Sequence, residues 1–188
     1  LETDLVRVKN GIVVSASEIA SRVGVQILKK GGNAVDAAVA TELALAVTFP
    51  AAGNLGGGGF MVIRMNDGTT ATIDYREKAP LAAHKDMFLD ENGDFVPELS
   101  QSSILGAGIP GTVAGVIYAL EKYGTMKLAD VIQPAINLAE EGFPLERWTA
   151  QTLASAFRSM EKYESSMKVF SKNGQPYKEG DIFKQPDL

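Results

Sequence analysis

Apolar positions recur along this chain in two periods, with glycine-rich breaks between them. Gly11-Ile12-Val13-Val14-Ser15 is a short apolar run that reads as a buried strand. Ser15 or Ser17 then offers an N-cap, and Ile19, Val23 and Ile27 follow at spacing four with Leu28 beside them, the stripe of an amphipathic helix. Lys29 and Lys30 fall in its last turn, where cations suit the helix dipole, and Gly31-Gly32 ends it. Asn33 caps a second helix with Asp36 in its first turn. From Ala34 to Val47 this helix is alanine-rich and apolar on most sides, which predicts close packing between layers rather than a surface position. Phe49-Pro50 stops it.

Phe60 to Met65 and Thr70 to Tyr75 flank Asn66-Asp67-Gly68-Thr69, and Asp-Gly between β-rich runs predicts a hairpin. The first run alternates weakly, as a strand covered on both faces does. Thr112 leads into a helix with Val113, Val116, Ile117 and Leu120 inward. Leu128 to Glu141 forms the next, with Val131, Ile132, Ile136 and Leu138 apolar and an internal Pro134 that should kink or divide it. Glu146 to about Tyr163 is helical with Trp148, Leu153 and Phe157 inward, and Asn173-Gly174 marks a turn between short extended pieces. Asp187 has the character of an N-cap, and the end of the sequence reads as a fragment end or a disordered boundary. No long linker or repeat interrupts residues 1–188, which are taken as one folding unit.

Composition narrows the chemistry. The 188 residues carry a net charge of −5 with no basic block, so nucleic acid and anionic membrane are unlikely partners. Without cysteine there is no thiol nucleophile, disulfide or thiolate metal site, and one histidine almost excludes a multi-histidine metal centre. No apolar run is long enough for a membrane-spanning helix, and Leu1-Glu2-Thr3-Asp4 does not read as a signal peptide. A Ser-His-Asp triad would need His84, no G-x-S-x-G elbow exposes a serine, and His84 is better read as a surface loop residue. Asp74 with Glu77 and Glu140 with Glu141 are paired carboxylates without the marks of a catalytic pair. Phe88 stands where a calcium loop ending at Gly93 needs its first oxygen ligand, so Asp90 to Asp94 is a plain turn.

Three stretches remain. Gly53-Asn54-Leu55-Gly56-Gly57-Gly58-Gly59 runs from helix to strand and lacks the Lys-Ser/Thr of a P-loop, so it is no phosphate cradle. Its glycines serve close packing or contact a ligand. Gly106-Ala107-Gly108-Ile109-Pro110-Gly111 is a second glycine-rich segment. Arg76-Glu77-Lys78 follows a predicted strand, where it is either a solvated turn or part of a site.

These segments carry a family resemblance. Gly31 to Ala40, Gly53 to Phe60, Asp74-Tyr75-Arg76-Glu77-Lys78-Ala79-Pro80, Gly108 to Gly115 and Lys122 to Thr125 resemble, in order, motifs of the γ-glutamyltranspeptidase family. The resemblance implies an α+β fold, an αββα sandwich of the N-terminal nucleophile hydrolase type, of which this chain is the first part of the large subunit. It implies a nucleophilic threonine at the N-terminus of a small subunit cut from the same precursor, its own amine serving as base. That threonine lies outside this chain, so no catalytic residue is assigned here and the 188 residues alone are expected to be inactive. The implied partners are that small subunit and small γ-glutamyl compounds such as glutathione. No cofactor or metal is implied, and the implied location is periplasmic or secreted. One site residue transfers by motif: Arg76, whose counterpart holds the α-carboxylate of the γ-glutamyl group. A planar guanidinium suits that task through two parallel charge-assisted bonds. Related acylases, capsule poly-γ-glutamate transferases and a non-catalytic γ-glutamyl-binding module remain alternatives.

Overall fold

The computed structural model describes residues 7–188, so the Leu1–Asp4 stretch lies outside the described residues. In chain order the elements are α1 (Glu18–Lys29), α2 (Ala34–Thr48), β1 (Phe60–Arg64), β2 (Thr70–Asp74), α3 (Pro97–Gln101), α4 (Thr112–Tyr123), α5 (Leu128–Glu141), β3 (Phe143–Pro144), α6 (Arg147–Met160), α7 (Glu164–Phe170) and β4 (Ile182–Phe183). The class is α+β, as expected, with two separate two-stranded antiparallel sheets among the described residues. Two compact units are present among the described residues: one formed by residues 7–54 with Ala119–Leu188, the other by Leu55–Tyr118.

In the first unit, helix ends follow local chemistry. Ser17 caps α1, its Oγ accepting from the Ala20 amide. Gly31, at φ +94°, closes α1 with paired bonds from Gly31 N–H to Leu28 O and from Gly32 N–H to Ile27 O. Asn33 and Asp36 form a reciprocal capping box at the start of α2. α2 packs on α1 and on α5, and is buried nearly all round, as its alanine-rich composition predicts. A Cβ on Gly24 of α1 would overlap the Thr41 hydroxyl of α2, so the two helices approach as closely as glycine permits. A second cluster forms around Phe183 of β4, with Phe143, Phe170 and Tyr177 rings 5.2–6.1 Å away.

The second unit holds the predicted hairpin. β1 pairs with β2 from Phe60↔Asp74 to Arg64↔Thr70, and Gly68 at φ +88° makes the turn. Asp90 Oδ1 accepts from the Asn92 and Asp94 amides, the plain turn expected there.

Several expectations are corrected. Gly11–Ser15 forms no strand, and Ile12 and Val14 are exposed; a strand needs a neighbour for its amides, and none pairs with it among the described residues. β1 is not covered on both faces: Ile63 is buried, while Phe60 and Val62 are exposed, Val62 at 82%. Val113 and Trp148 are also exposed rather than inward, although Trp148 stacks on Phe49 at 5.0 Å. Of the two outcomes expected of Pro134, division of the helix does not occur: α5 runs through it. No helix among the described residues is long and apolar enough to cross a membrane.

Candidate functional site

The second unit carries a cleft of about 450 Å³ next to the end of β2. Asp74, Arg76 and Lys78 supply its charge; Ile73, Ile109, Pro110 and Tyr118 are among its apolar walls. The sequence builds this place by ending β2 on a polar pair. Asp74 Oδ1 accepts from the Arg76 amide at 3.0 Å, which turns the chain as the ladder stops. Two backbone pairs bracket the next residues. Tyr75 and Gly59 exchange N–H···O bonds of 3.0 and 3.4 Å before Arg76, and Lys78 and Ile109 exchange bonds of 3.1 and 2.8 Å after Glu77. Arg76 and Glu77 are therefore held at both ends by the main chain.

The guanidinium is aimed by two neighbours. Arg76 Nε donates to Glu77 Oε2 at 3.0 Å, and the guanidinium carbon lies 5.8 Å from the Phe60 ring centroid. Its terminal nitrogens take no hydrogen bond among the described residues, which leaves the fork edge available for a carboxylate. The Arg76 side chain is 61% exposed, so its pair with Glu77 orients more than it stabilises. Glu77's own backbone N–H first, and the Arg76 guanidinium second, hold its carboxyl below the usual carboxylate range. Glu77 thus stays ionised beside Arg76 throughout the neutral range. A wall of this kind can bind a small carboxylate and orient it, and it offers no nucleophile.

Other marked residues lie elsewhere. His84 is exposed in a loop, and Glu140 and Glu141 are exposed at the end of α5, as the sequence suggested. The glycine-rich segments resolve in favour of close approach: a Cβ on Gly53 would overlap the Leu45 carbonyl, and one on Gly58 would lie 2.6 Å from the Tyr75 carbonyl oxygen. Sequence reasoning missed Tyr75, which is buried at 9% exposure beside Arg76. It also saw only a helix-start charge in Asp36, which is fully buried and accepts bonds from Asn33, Thr125 and Met126.

Compared with known proteins, residues 20–188 match the family model for gamma-glutamyltranspeptidase. The chain belongs to the γ-glutamyltranspeptidase family. The glutathione hydrolase proenzyme of Escherichia coli (strain K12) is 52% identical over 184 residues, covering 97% of this chain and 32% of that protein. The crystal structure of Helicobacter pylori gamma-glutamyltranspeptidase superposes with a TM-score of 0.92 at 50% identity, covering 97% of this chain and 53% of that one. The Bacillus anthracis transpeptidase CapD matches at TM-score 0.75 and 34% identity, covering 96% of this chain and 56% of that one. The chain thus spans about a third of the length of the curated γ-glutamyltranspeptidase-family relatives it matches.

Proposed function

We propose that this chain is the N-terminal part of the large subunit of an enzyme that cleaves γ-glutamyl amides and passes the γ-glutamyl group to water or to an amino acid or peptide. Family membership supports the reaction class, and the fork of Arg76 on the wall of the cleft supports the donor. Arg76 receives the donor's α-carboxylate through its two terminal nitrogens. The reacting carbonyl lies at the other end of the glutamyl group, so anchoring the carboxylate sets its distance from the nucleophile. The nucleophile is the N-terminal threonine of a small subunit released from the same precursor, which forms and then loses a γ-glutamyl ester. Residues 1–188 are one folding unit in this proposal, incomplete without that partner, and the assembled protein is periplasmic or secreted.

In the full-length protein, Arg76→Lys should raise KM for a γ-glutamyl anilide about tenfold to a hundredfold, since hydrogen bonds to a charged group contribute about 1.5–3 kcal/mol. Lysine keeps the charge and loses the fork. Wild-type KM in that variant would remove Arg76 from the site. The chain is also similar to a Bacillus anthracis transpeptidase, and a second reading makes the donor poly-γ-glutamate, which carries the same α-carboxylate and linkage for Arg76 to hold. The similarity to glutathione hydrolase proenzymes favours the small donor. Rates with glutathione and with the polymer at equal enzyme concentration separate the two, and binding of glutamate without turnover would indicate a non-catalytic module.

A further inference from the structure

The two glycine-rich segments converge on one side chain. Gly57 O accepts from the Gly111 and Thr112 amides at 2.8 and 3.0 Å, which ties the segments together. Tyr75 lies between them. A Cβ on Gly115, in the first turns of α4, would overlap the Tyr75 ring at Cγ, and one on Gly59 would lie 2.9 Å from Cε2 and 3.1 Å from Cζ. A Cβ on Gly111 would overlap the Tyr75 carbonyl oxygen, and one on Gly58 would lie 2.8 Å from both Arg76 Cα and Glu77 N. Real Cβ atoms do not come so close, so glycine at these four positions is what makes room for Tyr75 and the backbone after it. Gly56, in the same run, is different: a Cβ there would meet nothing within 4 Å.

We propose that Tyr75 is a positioning residue for the donor carboxylate: its ring, seated in a socket left open by Gly59 and Gly115, and its carbonyl, enclosed by Gly58 and Gly111, hold the backbone of Arg76 in register with the cleft. The inference rests on the assignment of Arg76 to the α-carboxylate. The Arg76 backbone has little freedom of its own to correct an error, because Tyr75 pairs with Gly59 before it and Lys78 pairs with Ile109 after it. A displaced ring therefore moves the Cα that carries the guanidinium. Since the anchored carboxylate also sets the distance of the reacting carbonyl from the nucleophile, the displacement raises KM and lowers kcat together.

The test uses the assembled, processed full-length enzyme with a γ-glutamyl anilide donor. A 1 Å misplacement costs on the order of a hundredfold. On that scale Gly59→Ala, which meets the ring edge and shifts it by tenths of an ångström, should lower kcat/KM about fivefold. Gly115→Ala should lower it further, Tyr75→Leu should also lower it, and Tyr75→Phe, which keeps the ring, should recover part of the loss in Tyr75→Leu. Gly56→Ala should leave kcat/KM unchanged. Unchanged kcat/KM in Gly59→Ala, or an equal effect of Gly56→Ala, overturns the proposal. So does failure of Gly59→Ala to assemble, because the fold should absorb so small a ring shift. Arg76→Lys in the same assay separates the two claims. Wild-type KM there removes the carboxylate assignment, whereas a raised KM there with wild-type kcat/KM in Gly59→Ala removes the socket alone.

Discussion

Replacing Asp36 by asparagine removes one charge and one acceptor from a fully buried site. Oδ1 accepts from the Thr125 and Met126 amides at 2.9 and 3.1 Å; Oδ2 accepts from the Asn33 amide and the Thr125 hydroxyl, each at 2.7 Å. The carboxylate therefore ties the start of α2 to the segment between α4 and α5, assisted by Asn33 Nδ2 donating to the Tyr123 carbonyl at 2.7 Å. An asparagine oxygen can replace Oδ1 and keep both amide bonds. Its NH₂ then sits at Oδ2, where the Thr125 hydroxyl can rotate to accept, but the Asn33 amide faces a donor. One orphaned buried N–H costs about 1–3 kcal/mol, and the lost charge assistance on the remaining bonds brings the total to about 3 kcal/mol. At 1.4 kcal/mol per factor of ten, amide hydrogen exchange at Asn33, Thr125 and Met126 should accelerate about a hundredfold in the assembled protein.

Acidity supplies a second arm. Burial alone would raise the Asp36 carboxyl's pKa; the bonds from Thr125, Asn33 and Met126 outweigh it and hold the group below its ordinary value of 3.8. The folded pKa is thus lower than the unfolded one, so the contribution is complete above the unfolded pKa and is lost as pH falls through the folded pKa. Protection at these amides, corrected for intrinsic exchange rates, should decline below about pH 4 in the wild type and stay flat in Asp36→Asn. Equal protection in the two proteins at neutral pH, or the same acid dependence in both, would refute the clasp.

Two further outcomes test the packing. Phe183→Ala empties the centre of an aromatic cluster at a fully buried position and should destabilise its unit by about 3–5 kcal/mol, read from denaturant midpoints; a loss under about 1 kcal/mol would show that the cluster collapses to refill the space. Val62→Glu changes an exposed β1 position and should alter the chain's own stability by less than about 0.5 kcal/mol. The same change should lower the yield of assembled enzyme, measured by size-exclusion chromatography, if the remainder of the precursor covers that face; an undiminished yield would show that the face stays in water.

Local chemistry was legible in the residues alone. Asn33 with Asp36, Gly31-Gly32 and Asp67-Gly68 each act on partners within a few positions, so the ends of α1 and α2 and the β1–β2 turn could be read directly. The ordered motifs likewise pointed to the family. Burial was less legible, because apolar character does not say which neighbour covers it: Val62, Val113 and Ile136 carry the right pattern and lie exposed. The purpose of the glycines depended on tertiary structure altogether. Gly58 and Gly59 act on a ring and a carbonyl sixteen or more positions away, and Gly111 and Gly115 act on the same residue from the other side. Glycine in a sequence records only that space is needed; what fills the space is decided when distant segments meet.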